Sequence, residues 1–267
     1  MIIIGEKING AVQGVKTAIA QRDERMIREL AQKQTEAGAH YLDVCAGTAP
    51  ELEAETLSWM IDVVQDAVDT PICIDSPNVR TIEHVIHLIR REGIINSVSD
   101  EGEKCEAAFS LVKGTRWQVI AQTINNGGIP ACEADRLAIT GTIAEKAARH
   151  GISPDRLLVD PLVAAVSADN QAVSKFISSA AGIKKAYPAV KITAAISNIS
   201  FGMPLRRVLN RHFYALAAYA GLDCAVLDPC DSDMMLSVLA VEALSGRDRF
   251  CRGFTNAYRQ NRASLLT

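Results

Sequence analysis

The amino-acid sequence predicts an α/β protein of the (β/α)8 TIM-barrel class, organised as one domain over residues 1–267. Eight short apolar runs alternate with eight helical patterns, which is typical of βαβ units around a parallel sheet. No change of composition and no Ser/Gly/Pro-rich linker divides the chain, and barrels of this class reach about 250 residues as single domains. A doubly wound open sheet is the alternative architecture.

The apolar runs predict the eight strands. The seventh run is the most informative, because Lys191-Ile-Thr-Ala-Ala-Ile is followed by the polar Ser197-Asn198-Ile199-Ser200 and then by a Phe-Gly-Met-Pro turn. An amide side chain is thereby delivered to the end of a rigid strand. The predicted strands are 1–4, 40–44, 71–74, 93–96, 117–121, 157–159, the run that begins at 191, and 224–227.

Amphipathic patterns between these runs predict the helices. Gly38 is a plausible stop for the first of them, since glycine accepts the left-handed conformation that often follows a helix. The predicted helices are 23–37, 51–67, 79–91, 101–113, 134–150, 170–187, 204–220 and 231–244.

Composition excludes several classes of partner and location. A formal net charge of -3 gives no general attraction to nucleic acid or anionic lipid, so neither partner is predicted. No run approaches the roughly 20 apolar residues that cross a bilayer, and MIIIGEKING lacks the long apolar stretch of a signal peptide. Seven cysteines without a C-x-x-C pair indicate reduced thiols, and therefore a cytoplasmic protein.

Polar side chains recur where the predicted strands end. In a barrel these ends share one face, which carries the catalytic residues. Each residue alone is as well explained as a cap of the next turn, Asp43 and Asp228 above all, but the set shares a chemistry of carboxylates and amides. Its members are Glu6, Asn9, Asp43, Asp75, Asn96, Gln122, Asn125, Asp160, Asn198 and Asp228.

Such a ring suits a flat heterocycle with many donors and acceptors. A carboxylate accepts two hydrogen bonds from an amidine-like edge, such as the 2-amino group and ring N–H of a pterin. Asp75 and Asp160 are the predicted paired acceptors. No metal site is predicted, because His84 and His87 share a helix face without an acid at metalloprotease spacing. No G-x-G-x-x-G or P-loop motif indicates a nucleotide.

Six motifs, in order along the chain, carry a resemblance to a known family. The sequence resembles the pterin-binding methyltransferase family, which includes methyltetrahydrofolate:corrinoid/iron-sulfur protein methyltransferases and the folate module of cobalamin-dependent methionine synthase, with dihydropteroate synthase as a more distant relative. The motifs are GEKING at the start, LDVCAG at 42–47, PICIDS at 71–76, GIINSVS at 93–99, LLVDPL at 157–162 and ISNISFGMP at 196–204.

The resemblance implies a dihydropteroate-synthase-like barrel that works as a homodimer. It implies an enzyme that moves a methyl group, in either direction, between N5 of tetrahydrofolate and the cobalt of a corrinoid. Tetrahydrofolate or 5-methyltetrahydrofolate is then the substrate. The corrinoid is expected on a transiently docked partner protein, because this chain has no D-x-H-x-x-G motif for cobalt ligation.

The resemblance also implies roles for single residues. Asp75, Asn96 and Asp160 match pterin-binding positions, and Asn198 matches the catalytic asparagine near N5. An arginine beyond that asparagine corresponds to Arg206 or, with a shift of one residue, to Arg207. The predicted substrate-binding set is Glu6, Asn9, Asp43, Asp75, Asn96, Gln122, Asn125, Asp160, Asn198 and Arg206.

One departure from the family pattern lies in the second strand. Where the corrinoid/iron-sulfur enzymes have a motif resembling LDLN, this chain ends the motif with Cys45, which replaces an amide by a weaker donor and acceptor. Arginines 206, 207 and 211 either neutralise the glutamate tail of folate or form a solvated helix face.

Two other functions stay open on the sequence alone. One is a different pterin-dependent barrel enzyme, such as a synthase that makes a C–N bond. The chain lacks the N-V-T-P-D-S-F loop of dihydropteroate synthase, which handles a diphosphate-bearing substrate. The other is a folate-binding subunit without catalytic activity, which would bind the pterin and exchange no methyl group.

Overall fold

The eight strands form a closed parallel barrel in sequence order, and β8 pairs with β1 to complete it. The structure, a computed structural model, describes residues 1–265 and their side chains as far as residue 259. Closure confirms the predicted fold class and rules out the open sheet. The strands are β1 Ile2–Asn9, β2 Tyr41–Cys45, β3 Ile72–Asp75, β4 Ile94–Asp100, β5 Gln118–Asn125, β6 Leu157–Asp160, β7 Lys191–Ala195 and β8 Cys224–Leu227.

Helices surround the barrel and connect its strands. Apolar faces on them pack against the outward side chains of the strands and form the main core. Within residues 1–265, no helix has the length and apolarity to cross a bilayer. The helices are α1 Gln13–Ala20, α2 Glu24–Glu36, α3 Pro50–Ala67, α4 Val79–Val85, α5 Lys104–Leu111, α6 Glu133–Arg149, α7 Ala172–Ala186, α8 Arg206–Tyr219, α9 Ser232–Leu244 and α10 Arg252–Leu265.

The structure corrects three sequence predictions. Helix α1 was not predicted, because it is short, contains Gly14 and has no side-chain cap. Strands β1, β4 and β5 run four or five residues farther than expected, into polar sequence. The helix predicted at 79–91 ends at Val85 and continues as a 3-10 helix over Ile86–Leu88, after which the Gln65 side chain binds the oxygen of Leu88 and the N–H of Arg90, 3.2 and 2.6 Å away.

A second, smaller core fills the barrel itself. Below it, Gln118 bridges Tyr41 and Lys191: it donates to the tyrosine oxygen over 2.8 Å and accepts from Lys191 Nζ over 3.0 Å. The barrel is therefore closed at its lower end, and the space left inside opens at the carboxyl ends of the strands. The side chains of this inner core are Ile4, Cys73, Ile94, Ile120, Leu158, Cys224 and Val226.

Candidate active site

A cavity of about 560 Å³ lies at the carboxyl ends of the strands, and all eight strands contribute to its lining. It brings together nine of the ten predicted site residues. The exception is Asn125, whose Oδ1 accepts the N–H of Gly127 over 2.9 Å and holds the turn after β5. The nine are Glu6, Asn9, Asp43, Asp75, Asn96, Gln122, Asp160, Asn198 and Arg206.

The deepest acidic group is Asp43, and it is not a helix cap. It is 3% exposed, and its Oδ1 accepts a hydrogen bond from Asn96 Nδ2 over 3.0 Å. Burial, the negative charge of Asp75 and a hydrogen bond to it raise the pKa of Asp43 well above its usual value. The hydrogen bond between the two carboxyl groups raises the pKa of Asp43 and lowers that of Asp75, while burial raises the pKa of both.

The third carboxylate of this wall is Asp160. Its Oδ1 accepts the N–H of Leu162 over 2.8 Å, which leaves Oδ2 for a ligand. Burial raises the pKa of Asp160 to about 6, opposed by that hydrogen bond and by the charge of Arg136 behind it. Asp160 thus caps a turn and lines the cavity at once, as do Asn9 and Asp228 through their bonds to Ala11 and Cys230.

Strand β1 contains a bulge where it lines the cavity. Its register against β2 skips one residue between Gly5 and Ile8, and a bulge re-aims side chains that would otherwise alternate. Both Glu6 and Lys7 therefore line the cavity. Gln34 of α2 accepts the N–H of Lys7 over 2.9 Å, and only glycine fits beside it, because a Cβ on Gly5 would lie 2.4 Å from its Oε1.

A short 3-10 turn, Ile196–Ser200, follows β7 and carries Asn198. Ser197 Oγ donates to Glu6 Oε2 over 2.9 Å. Arg206 holds the turn from the other side, since its Nη2 donates to the Ser197 oxygen over 2.9 Å and its Nε to Ser200 Oγ over 3.1 Å. Asn198 itself is exposed to the cavity. Arg206 is thus committed mainly to fixing this turn.

The other two arginines of α8, Arg207 and Arg211, have different partners. Arg207 lines the cavity, is largely exposed and lies 3.6 Å from Asp231. Arg211 pairs with Asp233 over 2.6 Å on the outer side of the helix. The three arginines therefore do not act as one cationic cluster.

Cys45 ends β2 directly beside Asp75 of β3. Partial burial and the neighbouring Asp75 raise the pKa of this thiol far above its usual value. It stays neutral, so it is a poor nucleophile and a poor metal ligand at neutral pH.

Several cavity residues lay outside the predicted set. Lys7 pairs with Asp228 over 3.1 Å, and the GEKING motif already contained it. Asn210 follows Arg206 by one helical turn and so shares its face. Thr193 points inward two residues before Ala195, as strand alternation requires. The lining residues that the sequence analysis did not select include Lys7, Ser97, Thr193, Asn210, Asp231 and Met234.

The cavity has two chemically different walls. Strands β2 to β6 supply buried carboxyl and amide groups without a cation in the lining, suited to a neutral, donor-rich ring. Strands β1, β7 and β8 with the start of α8 supply ion pairs, hydroxyls and amides, suited to charge that changes during a reaction.

Comparison with known proteins points the same way. Residues 15–228 match the family described as pterin binding enzyme. The chain is 45% identical over 264 residues to methylcorrinoid:tetrahydrofolate methyltransferase of Eubacterium limosum, covering 98% of this chain and 97% of that one. It is 26% identical over 240 residues to methionine synthase of Mycobacterium leprae, of which it spans only 20%.

Solved structures agree on the fold. Dihydropteroate synthase of Yersinia pestis superposes with a TM-score of 0.65 at 15% identity, covering 92% of this chain and 93% of that one. The enzyme of Xanthomonas albilineans in complex with 7,8-dihydropteroate gives 0.63 at 18% identity, covering 91% and 94%.

Proposed function

This chain belongs to the pterin-binding enzyme family, and from that premise we propose that it is a methyltransferase. It moves a methyl group between N5 of tetrahydrofolate and the cobalt of a corrinoid carried by a partner protein. The observation that carries this proposal is the match to the Eubacterium limosum enzyme over nearly the whole of both chains. The carboxyl and amide wall of the cavity supports it independently.

The pterin binds against that wall. Asp75 and Asp160 accept from its amino group and ring N–H, because each offers a carboxylate oxygen to the cavity. The amide nitrogen of Asn96 donates to Asp43, so its side-chain oxygen is free to accept a hydrogen bond from the ring. Gln122 reads another polar edge of the ring. Glu6, Asn9 and Arg206 shape the opposite side, and Asn125 is left out of the binding set.

Asn198 acts on the reacting nitrogen. When N5 attacks the methyl group, the Co–C bond electrons stay on cobalt and the nitrogen becomes positive; the reverse reaction passes through the same arrangement. A neutral amide cannot take the proton, so Asn198 contributes by orientation and hydrogen bonding. The clamp of Arg206 on the Ser197 oxygen supports this, because it holds the turn rigid.

The corrinoid comes from a separate carrier protein. Among the described cavity residues there is no histidine that could ligate cobalt. Exposed apolar side chains in the segments after β1, β2, β5 and β7 support docking at the cavity mouth, since exposed apolar groups around a cleft favour protein contact. They are Val12, Leu52, Ile129, Phe201 and Leu205.

We also propose that the whole chain acts as one domain and pairs as a homodimer in the cytoplasm, without nucleic acid or membrane. The family resemblance supports the dimer. Three large apolar side chains away from the mouth support it too: Tyr219, Leu244 and Phe250 are 90%, 88% and 77% exposed. Seven free cysteines support a reducing compartment. Light scattering after size-exclusion chromatography tests the dimer.

Anaerobic spectrophotometry tests the reaction. Purified protein is mixed with tetrahydrofolate and methylcob(III)alamin, and formation of cob(I)alamin is followed. Catalysed loss of the methyl–cobalt band together with methyltetrahydrofolate is the expected result. Folate binding without transfer, on free corrinoid and on carrier protein alike, would indicate a binding subunit. Absence of folate binding would refute the proposed site.

A further inference from the structure

The proposed reaction needs a group that handles a proton. Tetrahydrofolate carries a hydrogen on N5. After N5 bonds to the methyl group, that nitrogen is a positive ammonium until its proton leaves, and in the reverse direction a proton must arrive before the amine can depart. Asn198, as a neutral amide, does neither.

Glu6 is brought to the reacting side of the cavity by the bulge in β1. Without the extra residue, Glu6 and Lys7 would point to opposite faces of the strand. Gln34 and Gly5 hold the bulge in place. One cavity wall therefore presents a carboxyl group and an ammonium group from adjacent residues.

The carboxyl of Glu6 is tied to the turn that carries Asn198. Its Oε2 accepts from Ser197, the residue directly before the asparagine. Its other oxygen has no hydrogen bond from the described side chains, and no cation among them lies within ion-pairing distance of it, because Lys7 pairs with Asp228 instead. Glu6 is partly buried and lines the cavity, and one of its oxygens remains available to a substrate.

The surroundings adjust the proton affinity of Glu6. Burial is the main cause of a raised pKa for Glu6, with the negative charge of Asp228 acting in the same direction. The Ser197 hydroxyl and the charges of Lys7 and Arg206 lower it. A carboxyl whose pKa is moved toward neutrality is the better general acid and base.

The other acids of the cavity are poorer candidates. Asp43, Asp75 and Asp160 belong to the opposite wall. Asp228 is neutralised by Lys7. Asp231 caps α9 through its bond to the Met234 N–H.

We propose that Glu6 is the proton acceptor for N5 when tetrahydrofolate takes the methyl group, and the proton donor in the reverse reaction; this rests on the proposed function. In the forward step N5 forms the N–C bond, and the Co(III)–C bond breaks with both electrons on cobalt, giving Co(I). The N5 proton passes to the Glu6 carboxylate. Conversely, the Glu6 acid protonates N5 of methyltetrahydrofolate, and Co(I) attacks the methyl carbon.

The test compares Glu6→Gln, Ser197→Ala and the exposed control Glu36→Gln. Methyl transfer from methylcob(III)alamin to tetrahydrofolate is measured in single turnovers from pH 5 to 9, and tetrahydrofolate binding by calorimetry. Glutamine still accepts from Ser197, so the turn is kept while the proton site is lost. We expect about 10²-fold or greater loss of rate for Glu6→Gln and a dissociation constant within about threefold of the original, a split that a purely structural role would not produce.

The wild-type rate is divided by the Glu6→Gln rate at each pH. The effect of N5 ionisation in free tetrahydrofolate is the same for both proteins and cancels in this ratio. This ratio rises with pH through the pKa of Glu6 and then levels. For Ser197→Ala the corresponding ratio, its rate divided by that of Glu6→Gln, is expected to rise at higher pH, because the hydroxyl that lowers the pKa of Glu6 is gone. Glu36→Gln follows the wild type.

Three results would overturn the assignment. A Glu6→Gln rate near wild type would show that another group takes the proton. Parallel loss of rate and folate affinity would make Glu6 a binding residue only. A wild-type protein that binds folate and transfers no methyl group would refute the proposed function, and the assignment with it.

Discussion

Asn96 donates a hydrogen bond from Nδ2 to Oδ1 of Asp43 over 3.0 Å, across the strand that lies between them. That intervening strand, β3, ends with Asp75, so three polar side chains of β2, β3 and β4 meet at one point of the cavity. The hydrogen bond between the carboxyl groups raises the pKa of Asp43 and lowers that of Asp75, so we expect Asp43 to hold a proton more strongly than Asp75 and Asp75 to act as the acceptor for a ligand.

Asp43→Asn is expected to keep folate affinity within about threefold, because asparagine can accept from Asn96 and donate to Asp75 as the neutral acid does. Asp43→Ala leaves both partners unsatisfied and is expected to weaken binding by about tenfold or more. Calorimetry with tetrahydrofolate measures both. If Asp43→Asn were as damaging as Asp43→Ala, the ionised form of Asp43 would be the functional one.

Asp160→Asn is expected to stabilise the protein at pH 8 while removing pterin affinity. Burial raises the folded-state pKa of Asp160 to about 6, above the unfolded value of about 3.9. Protonated Asp160 therefore contributes to the free energy of unfolding fully below pH 4. This contribution is lost as the pH rises through 6, and the largest loss in the free energy of unfolding is about 3 kcal/mol.

Thermal unfolding of Asp160→Asn and wild type at pH 4 and pH 8 checks this. Asparagine keeps the acceptor for the Leu162 N–H, so the turn is matched. The gain should appear at pH 8 and vanish near pH 4. Equal melting temperatures at both pH values would mean that the buried carboxylate is solvated in the folded state.

Asn198→Ala is expected to lower the rate of methyl transfer by about 10²-fold and to change tetrahydrofolate affinity far less. The side chain is exposed in the cavity and the turn is fixed by Arg206, so its removal should leave the fold intact. Single-turnover rates and calorimetry separate the two effects. Equal losses of rate and affinity would reduce Asn198 to a ground-state binding residue.

Gln34→Leu is expected to destabilise the protein by about 1–3 kcal/mol, because the N–H of Lys7 loses its buried acceptor. The same change should lower the methyl-transfer rate, since the bulge that aims Glu6 loses its support. Gln32→Leu, at an exposed position of the same helix, is the matched control and should stay within about 0.5 kcal/mol. Chemical denaturation provides the comparison, and similar results for the two variants would argue against this role of Gln34.

Phe201→Ser and Ile129→Ser are expected to raise the KM for a methylated corrinoid protein by about tenfold each. Both side chains are about 70% exposed and belong to the segments that follow β5 and β7, at the carboxyl ends of the strands. Rates with free methylcob(III)alamin should be unchanged, because that substrate needs no protein contact. Unchanged KM values with the carrier protein would move the docking surface elsewhere.

Sequence reasoning predicted the barrel because each strand reads as an apolar run and ends in a polar residue. For the same reason, nine of the ten predicted site residues line the cavity. Asn125 does not, because β5 runs three residues beyond Gln122 and the Asn125 side chain accepts the N–H of Gly127. Capping a turn and lining the cavity also do not exclude each other, since Asp160 does both.

The bulge in β1 lay beyond prediction because its cause is remote in sequence. Strand alternation places Glu6 and Lys7 on opposite faces, and only Gln34, 27 residues after Lys7, overrides it. Gln65, likewise remote in sequence, binds the segment after the 3-10 helix that follows α4. Local sequence patterns reveal the periodicity of a strand or helix. They do not reveal a contact made by a side chain of another element.

The sealed lower end of the barrel imposes an order on the two substrates. Gln118 and the inner core close one end, so folate and the corrinoid carrier share a single entrance. A carrier protein seated over that entrance blocks the passage of the pterin. With the carrier docked as proposed, we therefore expect folate to enter first and leave last, and we expect excess carrier to slow turnover by docking on the empty enzyme.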